Sequence, residues 1–155
     1  MTSPSSPNFT WHDGFLLGYG PMDDTHEEFV ALVGAMKAAP DAQLSTRLDR
    51  FCVHAQQHFA AEDGWMRDTA FPARDCHIGE HAAVLDSVLA VQRLVASGDC
   101  SQVRRLVEHL EGWFPGHADY LDSALAHWMC KLRWGGKPVV IRRQVGTSGV
   151  APIPD

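Results

Sequence analysis

The amino-acid sequence predicts an all-α protein, an up-down-up-down four-helix bundle with an N-terminal arm and a short irregular C-terminal tail. Apolar residues recur every three or four positions in four separate segments, which is the periodicity of helices that bury one face. No strand-like alternation competes with this pattern before residue 134. The connections between the segments are short, about three to ten residues, so consecutive helices are expected to pack antiparallel.

Each helix has recognisable start and stop signals. The first is expected to follow Asp23 or Asp24, both suitable N-cap residues, and the fourth to start near Ser101. Proline and glycine punctuate the chain where helices must end. The residues expected to end the four helices are, in order, Pro40, Phe71-Pro72, Ser97-Gly98 and Gly135-Gly136.

The chain divides into three parts. Residues 1–10 are rich in Ser and Pro and are expected to be disordered. Residues 11–133 form the predicted bundle and its arm, a single domain. The tail, residues 134–155, contains one short β-prone run, Val139-Val140-Ile141. The tail could pack either on the bundle or on a partner protein.

Composition excludes several classes of function. Thirteen Lys and Arg against nineteen Asp and Glu give a net charge of −6, which argues against a nucleic-acid-binding protein. No apolar run approaches the roughly 18 residues of a membrane span, and the first residues do not resemble a secretory signal, so a cytoplasmic protein without membrane insertion is expected. The four cysteines form no C-x-x-C pair, which suits a reducing compartment. Cys76 is expected to be a small buried residue.

Polar residues interrupt the apolar faces at one level of every helix. A buried polar group costs roughly 2–7 kcal/mol unless a partner satisfies it, so a set of such groups in one core layer needs a common explanation. Antiparallel bundles bring such positions together, and cofactor sites are built there. The polar residues on the core faces are His26, His58, Glu62, His77, His81 and His117.

The residue types indicate a metal centre. Imidazoles combined with carboxylates, without thiolates, suit iron, zinc, copper or manganese, whereas magnesium and calcium prefer oxygen ligands. A structural zinc ion needs only four ligands, fewer than this set offers. Two ions bridged by carboxylates would use the whole set.

The motifs follow one another in a recognisable order. They are an inward His26 on helix one, His58-x-x-x-Glu62 on helix two, His77-x-x-x-His81 on helix three and His117-x-x-x-x-Asp122 on helix four. Together with Trp11 in the arm and Trp113 before His117, this pattern resembles the hemerythrin family in its bacterial single-domain form. The resemblance extends from residue 11 to about residue 132.

The resemblance implies a non-haem di-iron protein that binds O2 reversibly and is not an enzyme. One iron would bind His77, His81 and His117, and the other His26 and His58. Glu62 and Asp122 would bridge the two ions together with an oxygen atom, and O2 would bind at the iron with two histidines. Storage, delivery and sensing of O2 all remain open, and no protein partner is identified.

Three features of the sequence refine this expectation. His117 and Asp122 are five positions apart, so both can face the core only if a π-type turn or a kink at Pro115-Gly116 intervenes. By the same resemblance, Phe114 would occupy a position that lines the O2 pocket. His54 lies one turn before His58 and is expected to be structural or to support a ligand, not to bind metal.

Two enzymatic alternatives remain. A di-iron enzyme that consumes O2, peroxide or nitric oxide would use the same ligands. A zinc metalloprotease could be built on His77-x-x-Glu80-His81, the inverted zinc-protease motif, but this hypothesis leaves the other polar core residues unexplained. Iron storage would require a cage-forming oligomer, for which the sequence gives no sign.

Overall fold

The computed structural model describes residues 9–143, which form helices and connecting segments without any β-strand. The first three long helices are α1 (Gly20–Ala38), α2 (Leu44–Asp68) and α3 (Arg74–Ala96). The fourth rod comprises α4 (Val103–His117), a π-helical turn (Ala118–Asp122) and α5 (Ser123–Trp134). Both α1 and α3 pack against α2 and α4, which confirms the predicted four-helix bundle.

Helix α1 begins earlier than predicted. It starts at Gly20, with Pro21 in its first turn, where the missing N–H of proline costs nothing. Asp23 therefore is not the N-cap. Its two carboxylate oxygens instead accept hydrogen bonds from the backbone N–H groups of Leu17 (2.8 Å) and Gly18 (3.0 Å), which fixes the arm to the start of the helix.

The fourth rod contains the predicted π-type turn. The N–H of Ser123 donates to the carbonyl of Ala118, five residues earlier, and Pro115 lies inside α4 three residues before the turn begins. The wider turn rotates the residues that follow it relative to α4. As a result, His117 and Asp122 face the same side of the rod and both are buried.

The core consists of two apolar clusters separated by a polar layer. One cluster includes Phe29, Leu110 and Phe114, and the other includes Met22 and Met129. His26 lies between Met22 and Phe29 on α1, so the polar layer crosses the bundle between the two clusters. The layer is thereby shielded from solvent at both ends.

The N-terminal arm packs on the bundle through aromatic side chains. Phe9 and Phe15 meet the ring of Phe114 edge-on, with centroids 6.0 and 5.3 Å away, and Trp11 packs against Phe15. Phe9 belongs to the segment expected to be disordered, whereas residues 1–8 lie outside the described part of the chain. The arm therefore covers one side of the bundle next to Phe114.

The described part of the tail crosses the arm. Pro138 and Val140 lie over Gly18, and Arg143 binds Asp13. The β-prone run around Val140 forms no strand within residues 9–143. The tail beyond residue 143 lies outside the described residues.

The cysteines are only partly as expected. Cys52 and Cys130 are buried, but Cys76 is exposed, which contradicts its expected burial. Cys76 precedes His77 directly, so it lies roughly 100° around α3 from the buried face. None of the helices in the described region is both long and apolar enough to span a membrane.

Candidate metal centre

All seven predicted site residues lie in one buried layer. Helix α2 contributes His58 and Glu62, because positions four apart share one helix face, and α3 contributes a histidine pair in the same way. The π turn supplies the last carboxylate. The site residues, each at most 5% exposed, are His26, His58, Glu62, His77, His81, His117 and Asp122.

The carboxylate of Glu62 lies at the centre of the layer and faces two groups of histidines. Its Oε1 lies 3.0 Å from Nε2 of His58 and 3.4 Å from Nε2 of His26. Its Oε2 lies 3.2 Å from Nε2 of His81 and 3.6 Å from Nε2 of His77. Each oxygen thus has its own pair of imidazoles.

The two carboxylate oxygens of Asp122 also face different groups of histidines. Its Oδ1 lies 2.9 Å from Nε2 of His77 and 3.2 Å from Nε2 of His117. Its Oδ2 lies 3.0 Å from Nε2 of His26. Both carboxylates therefore have one oxygen directed to each group of histidines.

The layer separates into two sets of converging donor atoms. His77, His81 and His117, with Glu62 and Asp122, form what we call the three-histidine side. His26 and His58, with Glu62, form the two-histidine side. Within each set the donor atoms lie within 4.8 Å of one another, close enough to hold a metal ion.

Several of these donor atoms lack hydrogen bonds despite their burial. Both ring nitrogens of His26 and of His77, Oε2 of Glu62 and both oxygens of Asp122 are buried without a hydrogen-bond partner. Buried polar atoms are nearly always satisfied, so each such atom requires an explanation. A nitrogen and oxygen donor set of this kind fits a transition-metal ion, and cations in the layer would satisfy the atoms that point into it.

The electrostatics of the metal-free layer are those of paired ions. Burial alone would lower the pKa of His26, but the adjacent carboxylates of Asp122 and Glu62 raise it to about 10. The pKa of His77 rises to about 9 for the same reason, again against the effect of burial. Burial opposes ionisation of Glu62 and Asp122, yet the surrounding imidazoles hold the pKa of both carboxyls below their usual range. At neutral pH the metal-free layer therefore favours protonated His26 and His77 beside the two carboxylates.

Two further carboxylates support the three-histidine side from behind, and the sequence analysis missed this role. Nδ1 of His81 lies 2.7 Å from Oδ1 of Asp63, and Nδ1 of His117 lies 3.0 Å from Oε1 of Glu80. The same Glu80 oxygen accepts a hydrogen bond from Nε1–H of Trp113 (3.0 Å). Such partners fix the tautomer and ring orientation of a metal-binding histidine. The available signal was weak: Asp63 and Glu80 each adjoin a predicted ligand in the sequence.

The two sides have different walls. On the three-histidine side, His81 stacks on Phe59 (4.3 Å between centroids) and His117 stacks on Trp113 (4.2 Å). On the two-histidine side, the edge-on ring of Phe114 lies 5.3 Å from His26, and Phe29 lies 5.9 Å from His58.

Phe114, predicted to line a ligand pocket, lies beside the two-histidine side. Its side chain is almost fully buried, with 1% of its surface exposed. It also stacks on Phe29, with centroids 4.8 Å apart, so the wall of this side is continuous and apolar.

The remaining candidates lie outside the layer's donor set. His54 packs edge-on against His58 at 5.2 Å, and its Nδ1 lies 3.5 Å from Oε1 of Glu28. Burial, followed by the neighbouring His58, lowers the pKa of His54 to about 4. Glu80 lies behind His117 and not among the converging atoms, so the geometry does not support the general base that the metalloprotease hypothesis requires.

Two comparisons with known proteins identify the family of this chain. Residues 17–128 match the family model described as the hemerythrin HHE cation-binding domain. The chain is 36% identical over 125 residues to the bacteriohemerythrin of Ralstonia nicotianae (strain ATCC BAA-1114 / GMI1000), an alignment that covers 81% of this chain and 91% of that protein. No solved structure matches the chain. The family match spans most of the bundle and the relative covers most of both chains, so this protein belongs to the hemerythrin family.

Proposed function

We propose that this protein holds two iron ions in the buried layer and binds O2 reversibly there. His77, His81 and His117 would bind one iron, His26 and His58 the other, and Glu62 and Asp122 would bridge them together with an oxygen atom. The observation that carries the proposal is the orientation of the two carboxylates. Each has one oxygen directed to each group of histidines. A single ion would leave half of these oxygens without a cation.

The number of ligands on each side decides where O2 binds. The three-histidine side offers three imidazoles and the carboxylates of Glu62 and Asp122. The two-histidine side offers two imidazoles and Glu62, with Oδ2 of Asp122 near His26. An iron held by His26 and His58 would therefore keep an open position, and the adjacent wall consists of Phe114 and Phe29. Two ferrous ions held here would supply the two electrons that reversible O2 binding requires.

The protein's own contribution is to keep water and protons away from the open position. The aromatic wall carries no acid that could donate a proton, and the shell around a metal controls solvent access and redox behaviour. This supports reversible binding over the alternative, a di-iron enzyme that consumes O2, peroxide or nitric oxide. Such an enzyme needs a proton route to the bound substrate.

The test combines metal analysis with spectroscopy. We expect two irons per chain after expression in iron-replete medium, and an optical spectrum that changes when O2 is added to the reduced protein and reverts when O2 is removed. One zinc and no iron per chain would contradict the proposal. Irreversible oxidation with continuous O2 consumption in the presence of a reductant would favour the enzyme instead.

The proposal includes O2 as ligand, a role in its storage, delivery or sensing, and a cytoplasmic location. The four cysteines form no disulfide and suit a reducing compartment. The name bacteriohemerythrin of the Ralstonia relative is consistent with the same class of protein.

A further inference from the structure

Aromatic rings form a continuous path from the two-histidine side to the N-terminal arm. The ring of His26 lies 5.3 Å from Phe114, and Phe114 lies 5.3 Å from Phe15. Phe15 is the last residue of the short 3-10 turn Asp13–Phe15 and is only partly buried. The arm thus forms the outer layer of the wall between this side of the candidate metal centre and solvent.

The tail crosses this arm at two points. At the first, Gly18 has a φ of +84°, and a Cβ placed on it would lie 2.7 Å from Cβ of Pro138 and 3.2 Å from Cγ2 of Val140. Only glycine permits both this conformation and this approach. At the second point, five residues earlier on the arm, Arg143 binds Asp13.

The contact between Arg143 and Asp13 uses three hydrogen bonds. Nε and Nη2 of Arg143 donate to Oδ2 and Oδ1 of Asp13, both at 2.9 Å, and the backbone N–H of Arg143 donates to Oδ2 at 2.8 Å. The bidentate fork gives the contact a defined geometry. These hydrogen bonds lower the pKa of Asp13 to about 2, so the carboxylate stays ionised throughout the neutral range.

The two ends of the arm segment are held by different means. Asp23 fixes Leu17 and Gly18 to α1, independently of the tail. The turn at Asp13 is held by the packing of Phe15 and by Arg143. Loss of the Arg143 contact would therefore loosen the turn and Phe15 without detaching the arm at α1.

We propose that Arg143 is a positioning residue for the ligand pocket. By holding Asp13 it keeps Phe15 seated on Phe114, and it thereby slows the exchange of small molecules between solvent and the two-histidine side. The identification of O2 as the exchanging molecule rests on the proposed function, whereas the hold of the tail on the arm does not. The tail would then set how long the bound ligand is retained.

The test compares Arg143→Gln with Arg142→Gln in the iron-loaded, full-length protein. The control removes an adjacent exposed positive charge for which the structure shows no contact with Asp13. Amide hydrogen exchange at Phe15 and Leu16, whose N–H groups bond to the carbonyls of His12 and Asp13, reports opening of the turn. The rate of O2 release, measured by stopped flow, reports how fast a ligand leaves the pocket.

We expect Arg143→Gln to speed both processes about two- to fivefold, in the range of a single exposed ion pair, with unchanged iron content. Arg142→Gln should leave both rates unchanged. Asp13→Asn should reproduce the effect, and the double variant should show little more than either single one. In about 1 M salt, the amide exchange rates of Phe15 and Leu16 in the parent should approach those in Arg143→Gln.

Two results would overturn the proposal. Unchanged exchange at Phe15 and Leu16 in Arg143→Gln would show that the tail does not hold the arm. Faster arm exchange with unchanged O2 release would show that the arm is not on the exchange route. If the parent holds iron without binding O2, the proposed function fails, and iron removal by a small neutral chelator such as bipyridine then replaces O2 release as the second measurement.

Discussion

The two sides of the candidate metal centre share the carboxylates of Glu62 and Asp122 but differ in the residues around their histidines. On the three-histidine side, carboxylates of Asp63 and Glu80 hold the outer nitrogens of His81 and His117. On the two-histidine side, Nδ1 of both His26 and His58 is buried without a hydrogen-bond partner. Two of the three histidines on one side have a supporting carboxylate at the outer nitrogen, whereas neither histidine of the other side has one.

This difference separates two tasks within one buried layer. Carboxylate-supported histidines have fixed orientation and greater basicity, which suits an ion that must stay in place. The unsupported histidines face a wall of apolar rings, which suits an ion that must accept and release a ligand while water is excluded. The comparison predicts that changes on the two sides will have different consequences, the largest of them where the sides meet.

The first prediction concerns Glu62, a carboxylate that the two sides share. Glu62→Ala should lose both irons, or leave a centre that oxidises rapidly, because Glu62 faces histidines of both sides. His54→Ala is the matched control on the same helix and should retain nearly full iron content. Elemental analysis of the purified variants measures this. Equal iron loss in the two variants would show that the roles on α2 are wrongly assigned.

The second prediction concerns the pH dependence of the metal-free protein. The pKa values of His26 (about 10) and His77 (about 9) lie above the ordinary 6.5, so their protonated forms stabilise the fold. That contribution is complete below pH 6.5 and is lost as the pH rises through 9 to 10. The carboxyls have lowered pKa values, so their contribution is lost only in acid.

The melting temperature of the metal-free protein should therefore fall between pH 6.5 and 10. In the iron-loaded protein the imidazoles bind metal in their neutral form, so this alkaline decline should be absent and iron should instead be released in acid. Thermal unfolding of both forms across this range is the measurement. Parallel curves for the two forms would mean that the histidine–carboxylate contacts contribute nothing without metal.

Those features of the site that depend on spacing along one helix could be predicted from the sequence. The i,i+4 pairs His58/Glu62 and His77/His81 must share a face. The five-residue gap between His117 and Asp122 required a π-type turn or a kink, and the structure contains the π turn. That these residues are the metal ligands remains a prediction. The all-α bundle followed from the same periodicity.

Features that depend on contacts between elements could not be predicted. Glu80 lies on α3 but supports His117 on α4, and no spacing along one helix encodes such a contact. The crossing of arm and tail joins Asp13 to Arg143, 130 residues apart. The start of α1 was misplaced because Asp23, a good N-cap residue by type, binds the arm instead.

The third prediction concerns Glu80, which supports a histidine of the three-histidine side. Glu80→Ala should lower iron affinity on the three-histidine side about tenfold, in the range seen when such supporting groups are removed. Glu28→Ala is the control, since Glu28 lies beside His54, which is not among the converging donor atoms. In the parent, a chelator should remove iron in two phases, the faster from the unsupported side. Glu80→Ala should bring the two rates closer together, and an unchanged slow phase would argue against the assigned difference between the sides.

The fourth prediction changes the wall of the other side. Phe114 touches His26, Phe29 and Phe15, so Phe114→Leu removes ring contacts on three sides and should cost about 1–2 kcal/mol of stability. Iron content should be unchanged, because Phe114 offers no ligand atom. Stopped-flow mixing of the reduced protein with O2 should show faster binding and faster release, because the smaller side chain leaves a wider passage to the two-histidine side.

Phe114→Tyr tests the polarity of the same wall without reducing its bulk. The added hydroxyl can donate a hydrogen bond to the bound ligand and slow its release, or deliver a proton and speed irreversible oxidation. Both effects require the ring to lie beside the ligand, so either one supports the position of the pocket. Trp113→Phe, which alters the ring stacked on His117, should change O2 kinetics less than either Phe114 variant. If both Phe114 variants match the parent in binding, release and oxidation rates, Phe114 is ordinary core packing, and the ligand pocket lies elsewhere.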